Sequence, residues 1–217
     1  MKILVNITTY KRRKELKRLL KQLENERVDV HIWDDNPRGR KIEGVKYTKF
    51  AINHGKKLAW LKFKDIFEQL RRTNYDYYLF LPDDVVLNDN FISDVVTTWQ
   101  SINDDKKICL SLLVDERIKK SNWTAFKPRN NDGVVLTQWN DLCFICEKEF
   151  INLVSIKEVD PSRWDYDENL GSGVGKQISW FFYNKGFNLY NMKQKTIQHL
   201  DIESKMNYKE RKINKLL

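Results

Sequence analysis

A single α/β domain on a mostly parallel, Rossmann-like sheet flanked by helices is predicted from three observations. Strand and helix patterns alternate from the start of the chain in the order β-α-β-α-β. The connections between them are short. Each of the first three strands ends in a polar or acidic turn, where open α/β sheets bind their ligands.

The elements follow from local pattern. "ILVNI" (3–7) is a short apolar run and reads as a buried strand. "KRRKELKRLLKQLENE" places leucines at 16, 19, 20 and 23, which is helical spacing. "VDVHIWDDNP" alternates Val28, Val30 and Ile32 and closes in Asp-Asp-Asn-Pro, a strand followed by a turn. "HGKKLAWLKFKDIFEQLRR" is a second helix with Leu58, Leu61, Ile66, Phe67 and Leu70 inward. "YDYYLFLPDDVVL" is a third strand running into a Pro-Asp-Asp turn, and "NDNFISDVVTTWQSI" a third helix. Strands are predicted at "KICLSLLV" and "DLCFICEKEF". "QISWFFYNKGFNLYNM" reads as a helix, a stop at Gly186 and a short strand. No internal repeat, linker or low-complexity stretch divides the chain.

The 217 residues suit one domain, and the 41% apolar content supplies a sizeable core. The 32% charged fraction is mixed in sign, unlike that of a disordered chain. The net charge is +9. Basic residues cluster: "KRRKELKRLLK" (11–21) has seven against one acid, "RIKKSNWTAFKPR" (117–129) five against none, and "KMNYKERKINK" (205–215) five against one. Such clusters are solvated faces or a surface that attracts a polyanion, either nucleic acid or anionic lipid. Cys109, Cys143 and Cys146 form no disulfide framework. On a strand the CxxC pair would face opposite ways, so all three read as small buried hydrophobes. The N-terminal apolar run is too short for a signal peptide. No stretch approaches the roughly 18 apolar residues of a membrane helix. A reducing, cytoplasmic compartment is expected.

"NLGSGVGKQIS" (169–179) resembles a phosphate-binding P-loop at first sight. That motif needs a glycine five residues before Gly175 and a hydroxyl after the lysine. Those positions hold Leu170 and Gln177, and no apolar strand precedes them. The dinucleotide pattern G-x-G-x-x-G fails too, because Gly171, Gly173 and Gly175 are spaced by two. The stronger signal is "YLFLPDDVVLNDNF" (78–91), an apolar strand ending in adjacent aspartates. Paired carboxylates at a strand end are costly unless a cation lies between them, and oxygen donors favour a hard divalent ion.

Five stretches, in order over residues 3–200, resemble the family 2 type of GT-A-fold glycosyltransferase. "NITTYKRRKELKRLLKQL" is similar to that family's opening P-T-Y-N-R, and "VHIWDDNP" to its V-V-D-D-G-S. "NHGKKLAW" resembles N-x-G…A-R-N, and "YDYYLFLPDDVVLNDNF" the strand that carries the D-x-D metal motif. "QISWFFYNKGFNLYNMKQKTIQHL" resembles the closing helix, strand and histidine. The resemblance implies a GT-A domain over 1–200, with a nucleotide-sugar half to about residue 100 and an acceptor half beyond. A basic tail occupies 201–217.

It further implies transfer of a sugar from a nucleoside-diphosphate sugar, with UDP first among the nucleotides, assisted by Mn²⁺ or Mg²⁺. Thr9, Tyr10 and Arg12 would border the base. Asp34 or Asp35 would accept a hydrogen bond from it. Asp83 would lie near the ribose and metal, and Asp84 would ligate the ion, with His199 closing the metal site. The family arginine falls at Trp60, leaving Lys56 or Lys57 near the phosphates. Val174-Gly175 stand where inverting members keep a base, so one is expected from Asp165, then Asp141, then Asp167. A retaining mechanism would need none.

Trp139 could stack on a sugar. Gly173 and Lys176 are expected on the acceptor side. The loop 117–132, with Trp123, Lys127 and Arg129, would suit DNA carrying a hydroxymethylated base, as in phage DNA modification in a host cytoplasm. Alternatives are a polysaccharide or glycolipid glycosyltransferase docked peripherally on a membrane, a metal-dependent nucleotidyltransferase, and a non-enzymatic nucleic-acid-binding protein.

Overall fold

A computed structural model describes residues 1–113, 129–131, 133–140, 142–166 and 171–200, the side chains of 129–131 and Tyr166 excepted. Its first half runs β1 (Ile3–Thr9), α1 (Arg13–Leu23), β2 (Asp29–Asp34), β3 (Lys46–Lys49), α2 (Ala59–Leu70) and β4 (Tyr77–Pro82). Next come β5 (Val85–Leu87), α3 (Phe91–Ser101), β6 (Lys107–Ser111), β7 (Arg129–Asn131), β8 (Val134–Leu136) and β9 (Phe144–Glu147). The chain continues through α4 (Lys148–Leu153), α5 (Arg163–Tyr166), α6 (Val174–Asn184), β10 (Asn188–Met192) and β11 (Ile197–His199).

The α/β prediction holds. Among the described residues the main sheet has nine strands in the order β3-β2-β1-β4-β9-β6-β10-β8-β7. β3, β2, β1 and β4 are parallel throughout, and β10 is parallel to β6. β9 enters antiparallel between β4 and β6, and β8 and β7 extend the far edge. A separate two-stranded ribbon pairs β5 with β11.

Alternation along the strands divides the core between two faces. Val5, Ile7, Leu79, Leu81 and Ile145 meet α1 and α3 through Leu16, Leu19, Val95 and Trp99. Leu4, Tyr78, Phe80 and Phe144 meet α2, α4 and α6 through Phe67, Phe150 and Phe182. The second face is aromatic: Phe80 stacks on Phe144 at 4.6 Å, and Phe150 on Phe182 at 4.7 Å. Cys143 packs on the first face and Cys146 on the second, both buried and free, as the CxxC spacing implies.

Local pattern misplaced several ends. The strand expected across 141–150 stops at Glu147 and turns into α4, because Phe150 and Ile151 must fold back onto Phe144 to be buried. α2 starts at Ala59, after a turn through His54–Leu58. β3, β5, β8 and β11 have four residues or fewer and exist through their pairing partners. Among the described residues, no helix is long and apolar enough to cross a membrane.

Candidate functional site

Parallel register brings the first three strand ends to one edge. Thr9 lies opposite Asp34 on β2, and Thr8 opposite Pro82 on β4. The residues that follow, Tyr10–Arg12, Asp35–Asn36 and Asp83–Asp84, therefore converge at the carboxyl edge of the sheet.

Asp83 and Asp84 are both buried, at 4% exposure. Thr9 Oγ1 donates to Asp83 Oδ2 at 2.6 Å, and the Tyr10 backbone N–H lies 3.4 Å from the same oxygen. Arg12 Nη1 donates to Asp83 Oδ1 at 3.2 Å and also to Asp84 Oδ2. Burial pushes the Asp83 carboxyl up to about 6, and Asp84 adds to the rise, against the opposing pull of Thr9 and Arg12. Burial also works against the Arg12 charge, but Asp84 and Asp83 outweigh it and raise its pKa.

The ribbon delivers His199. Its residue pairs with Val85, and the next N–H, of Leu200, donates to the Asp84 carbonyl at 2.8 Å. His199 Nε2 then lies 3.4 Å from Asp84 Oδ1. Thr9, Arg12, Asp83, Asp84 and His199 thus form one cluster from three separate parts of the chain. Among the described residues, no group of three or more His, Cys, Asp or Glu encloses a point as a complete metal cage. Asp84 and His199 offer an oxygen and a nitrogen donor, which suits Mn²⁺ or Mg²⁺ whose remaining positions are filled by phosphate oxygens. The donor set fits such an ion on that condition.

Beside the cluster, Thr9, Arg12, Asp34, Gly39, Arg40 and Tyr47 line a cavity of about 220 Å³. Asp34 accepts the Asn36 N–H at 2.8 Å and the Tyr47 hydroxyl. Burial, with the bond to Asp34, pushes the Tyr47 hydroxyl pKa up. A Cβ on Gly39 would fall 2.0 Å from Asp34 Oδ2 and 2.8 Å from the Tyr47 oxygen, so only glycine leaves Asp34 in place.

The two adjacent aspartates, equivalent in sequence, diverge here. Asp35 is fully buried and turned away from that cavity. It accepts His54 Nδ1 at 2.6 Å, the His54 N–H at 3.1 Å and the Gly55 N–H at 3.2 Å. Lys62 Nζ lies 3.6 Å from its other oxygen. Lys62 is 5% exposed, and burial lowers its pKa against the pull of Asp35. Sequence reading gave His54 no role and missed Lys62. The available signal was a lysine on the apolar face of α2, one turn before Ile66.

The glycine run is fastened to the same region. The Ser172 N–H donates to the Lys56 carbonyl at 3.0 Å, and Ser172 Oγ accepts the Trp60 N–H at 3.1 Å, capping the first turn of α2 from a distant part of the chain. Gly173 has a φ of 63°, which favours glycine, and opens α6. The short helix α5 at 163–166 agrees with the rejection of a P-loop, which requires a strand before its glycines. Gly173 and Lys176 line a cavity of about 630 Å³ with Lys157, Arg163, Trp180 and Lys185. Asp165 is exposed on α5, and Trp139 is half-buried with its carbonyl accepting Ser111 Oγ at 3.1 Å. Asp141, Asp167, Trp123, Lys127, the Arg129 side chain and the tail 201–217 lie outside the described residues.

Compared by sequence alone, no protein-family model and no curated protein matches the chain. Solved structures match it in fold. S. aureus TarS (residues 1–349) superposes with a TM-score of 0.57 at 15% identity, over 91% of this chain and 59% of that one. This chain therefore spans less than two thirds of that relative's length. Glucosyl-3-phosphoglycerate synthase from Mycobacterium tuberculosis, in complex with Mn²⁺ and UDP-glucose, superposes at 0.54 with 11% identity, over 93% of this chain and 72% of that one. The fold these structures share with the chain is the GT-A type.

Proposed function

We propose that the protein is a metal-dependent glycosyltransferase that moves a sugar from a nucleoside-diphosphate sugar to an acceptor hydroxyl. The observation that carries this reading is the buried Asp83–Asp84 pair, held by Thr9 and Arg12 and met by His199. Asp84 and His199 would hold a divalent cation, which offsets the charge that develops on the leaving diphosphate. Asp83 is oriented by Thr9, and Asp34 faces the neighbouring cavity as an acceptor for a base N–H. That pocket suits a pyrimidine, and UDP is the nucleotide we propose. The proposed base for an inverting reaction remains Asp165, Asp141 or Asp167.

The proposed acceptor is anionic. Support comes from the net charge of +9 and from the cavity in which Lys157, Arg163, Lys176 and Lys185 outnumber Glu158 and Asp160, with Trp180 at 45% exposure on its wall. DNA bearing a hydroxymethylated base has that chemistry. A thermal-shift panel of UDP-, GDP- and TDP-sugars with and without Mn²⁺ tests the donor. A stabilisation by one nucleotide that requires the metal is expected, and indifference to all of them refutes the enzyme reading. For the acceptor, DNA binding should fall steeply with salt; absence of binding at low salt removes DNA.

Gly39→Ala separates the base pocket from the metal site. The added methyl must displace Asp34, so donor KM should rise about tenfold or more while Mn²⁺ binding is kept. An unchanged KM would show that Asp34 does not read the base.

A further inference from the structure

We propose that the Arg12 guanidinium is the resident counter-cation of the Asp83–Asp84 pair and that it exchanges with the divalent ion when the site is loaded. The proposal rests on the metal-dependent reading given above. One nitrogen, Nη1, reaches Asp83 Oδ1 at 3.2 Å and Asp84 Oδ2 as well. It bridges the carboxylates of two successive residues, one of which, Asp84, would hold the ion.

The need for such a group is electrostatic. Two carboxylates at 4% exposure repel each other. With side-chain exposure of 10%, Arg12 supplies the opposite charge from inside the cluster rather than from solvent. A divalent ion on Asp84 Oδ2 would compete for the oxygen that the guanidinium holds. An ion on Oδ1, the oxygen facing His199, would still sit one carboxylate width from a positive charge. In either position the guanidinium opposes entry of the ion.

The backbone around Arg12 allows the exchange to be a movement of one side chain. Arg12 precedes the first turn of α1 and follows Lys11, whose φ is 56°. Its carbonyl is anchored by the Leu16 N–H at 3.0 Å, so the helix start stays in place when the guanidinium leaves. Arg12 is thus a positioning residue. It holds the carboxylates in place before loading, and it weakens metal binding until a diphosphate brings further negative charge.

The test is Mn²⁺ binding to the full chain without nucleotide, read from the electron paramagnetic resonance signal of free Mn²⁺. The proteins compared are wild type, Arg12→Gln, Arg12→Lys and Asp84→Asn. Arg12→Gln should bind Mn²⁺ at least about tenfold more tightly than wild type. Its metal-free form should melt at a lower temperature, and saturating Mn²⁺ should close most of that gap. Arg12→Lys keeps the charge on a shorter side chain that reaches the two carboxylates less well, so its affinity should lie between the two. It carries the test should Arg12→Gln fail to fold. Mn²⁺ affinity equal to or weaker than wild type in the Arg12 variants, with Asp84→Asn abolishing binding, would remove the exchange and leave the metal site standing. No Mn²⁺ binding by any of the four, even with UDP added, would remove both.

Discussion

Asp84→Asn is expected to lower sugar transfer by at least about a thousandfold and to abolish the Mn²⁺-dependent thermal shift with the nucleotide sugar. Asn keeps the shape of the side chain but not its charge. Arg12 retains Asp83 as a partner at 3.2 Å, and the Leu200 N–H still has the backbone carbonyl at residue 84. The unfolding temperature should therefore stay within a few degrees of wild type. The same variant separates the classes of function. In a protein that only binds nucleic acid, losing one carboxylate would leave binding unchanged or strengthen it. Transfer activity that survives in Asp84→Asn would overturn the assignment of the metal site.

Asp35→Ala is expected to destabilise the fold by about 3–5 kcal/mol, because it strands Lys62 in the interior and strips His54 of its acceptor, leaving the Gly55 N–H to Asn53 Oδ1 alone. For a chain of this size that corresponds to a fall in melting temperature of about 10 °C. The double variant Asp35→Ala/Lys62→Met should recover part of the loss, since it removes the unpaired charge along with its partner. Equilibrium urea unfolding of the single and double variants measures both quantities. A loss below about 1 kcal/mol in the single variant would mean that Lys62 finds another partner and that the Asp35 network does not hold the loop.

Asp34 and Asp35 show where sequence reading stops. Both were visible as the end of a strand, and their neighbours marked a ligand-binding turn. Their separate roles depend on Tyr47, Gly39, His54 and Lys62, none of which is adjacent in sequence. Arg12 is a similar case. Its place next to β1 was legible, but its contact with both Asp83 and Asp84 arises only when β1 and β4 pair in parallel.

What the sequence determined by itself is what neighbours along the chain determine. Periodicity set α1, α2 and α3 and the strands β1, β2 and β4, and turn chemistry marked where β2 and β4 end, because backbone preference and one-sided burial act over a few residues. The Asp83–Asp84 motif was legible for the same reason. Tertiary structure alone decided that β9 inserts antiparallel between β4 and β6, and that the β5–β11 ribbon carries His199 to Asp84. It also decided that Lys62 is buried against Asp35 and that Ser172 caps α2. These outcomes depend on which charges and backbone groups are enclosed together once the sheet has formed. A buried carboxylate or N–H must then find its partner wherever the fold provides one.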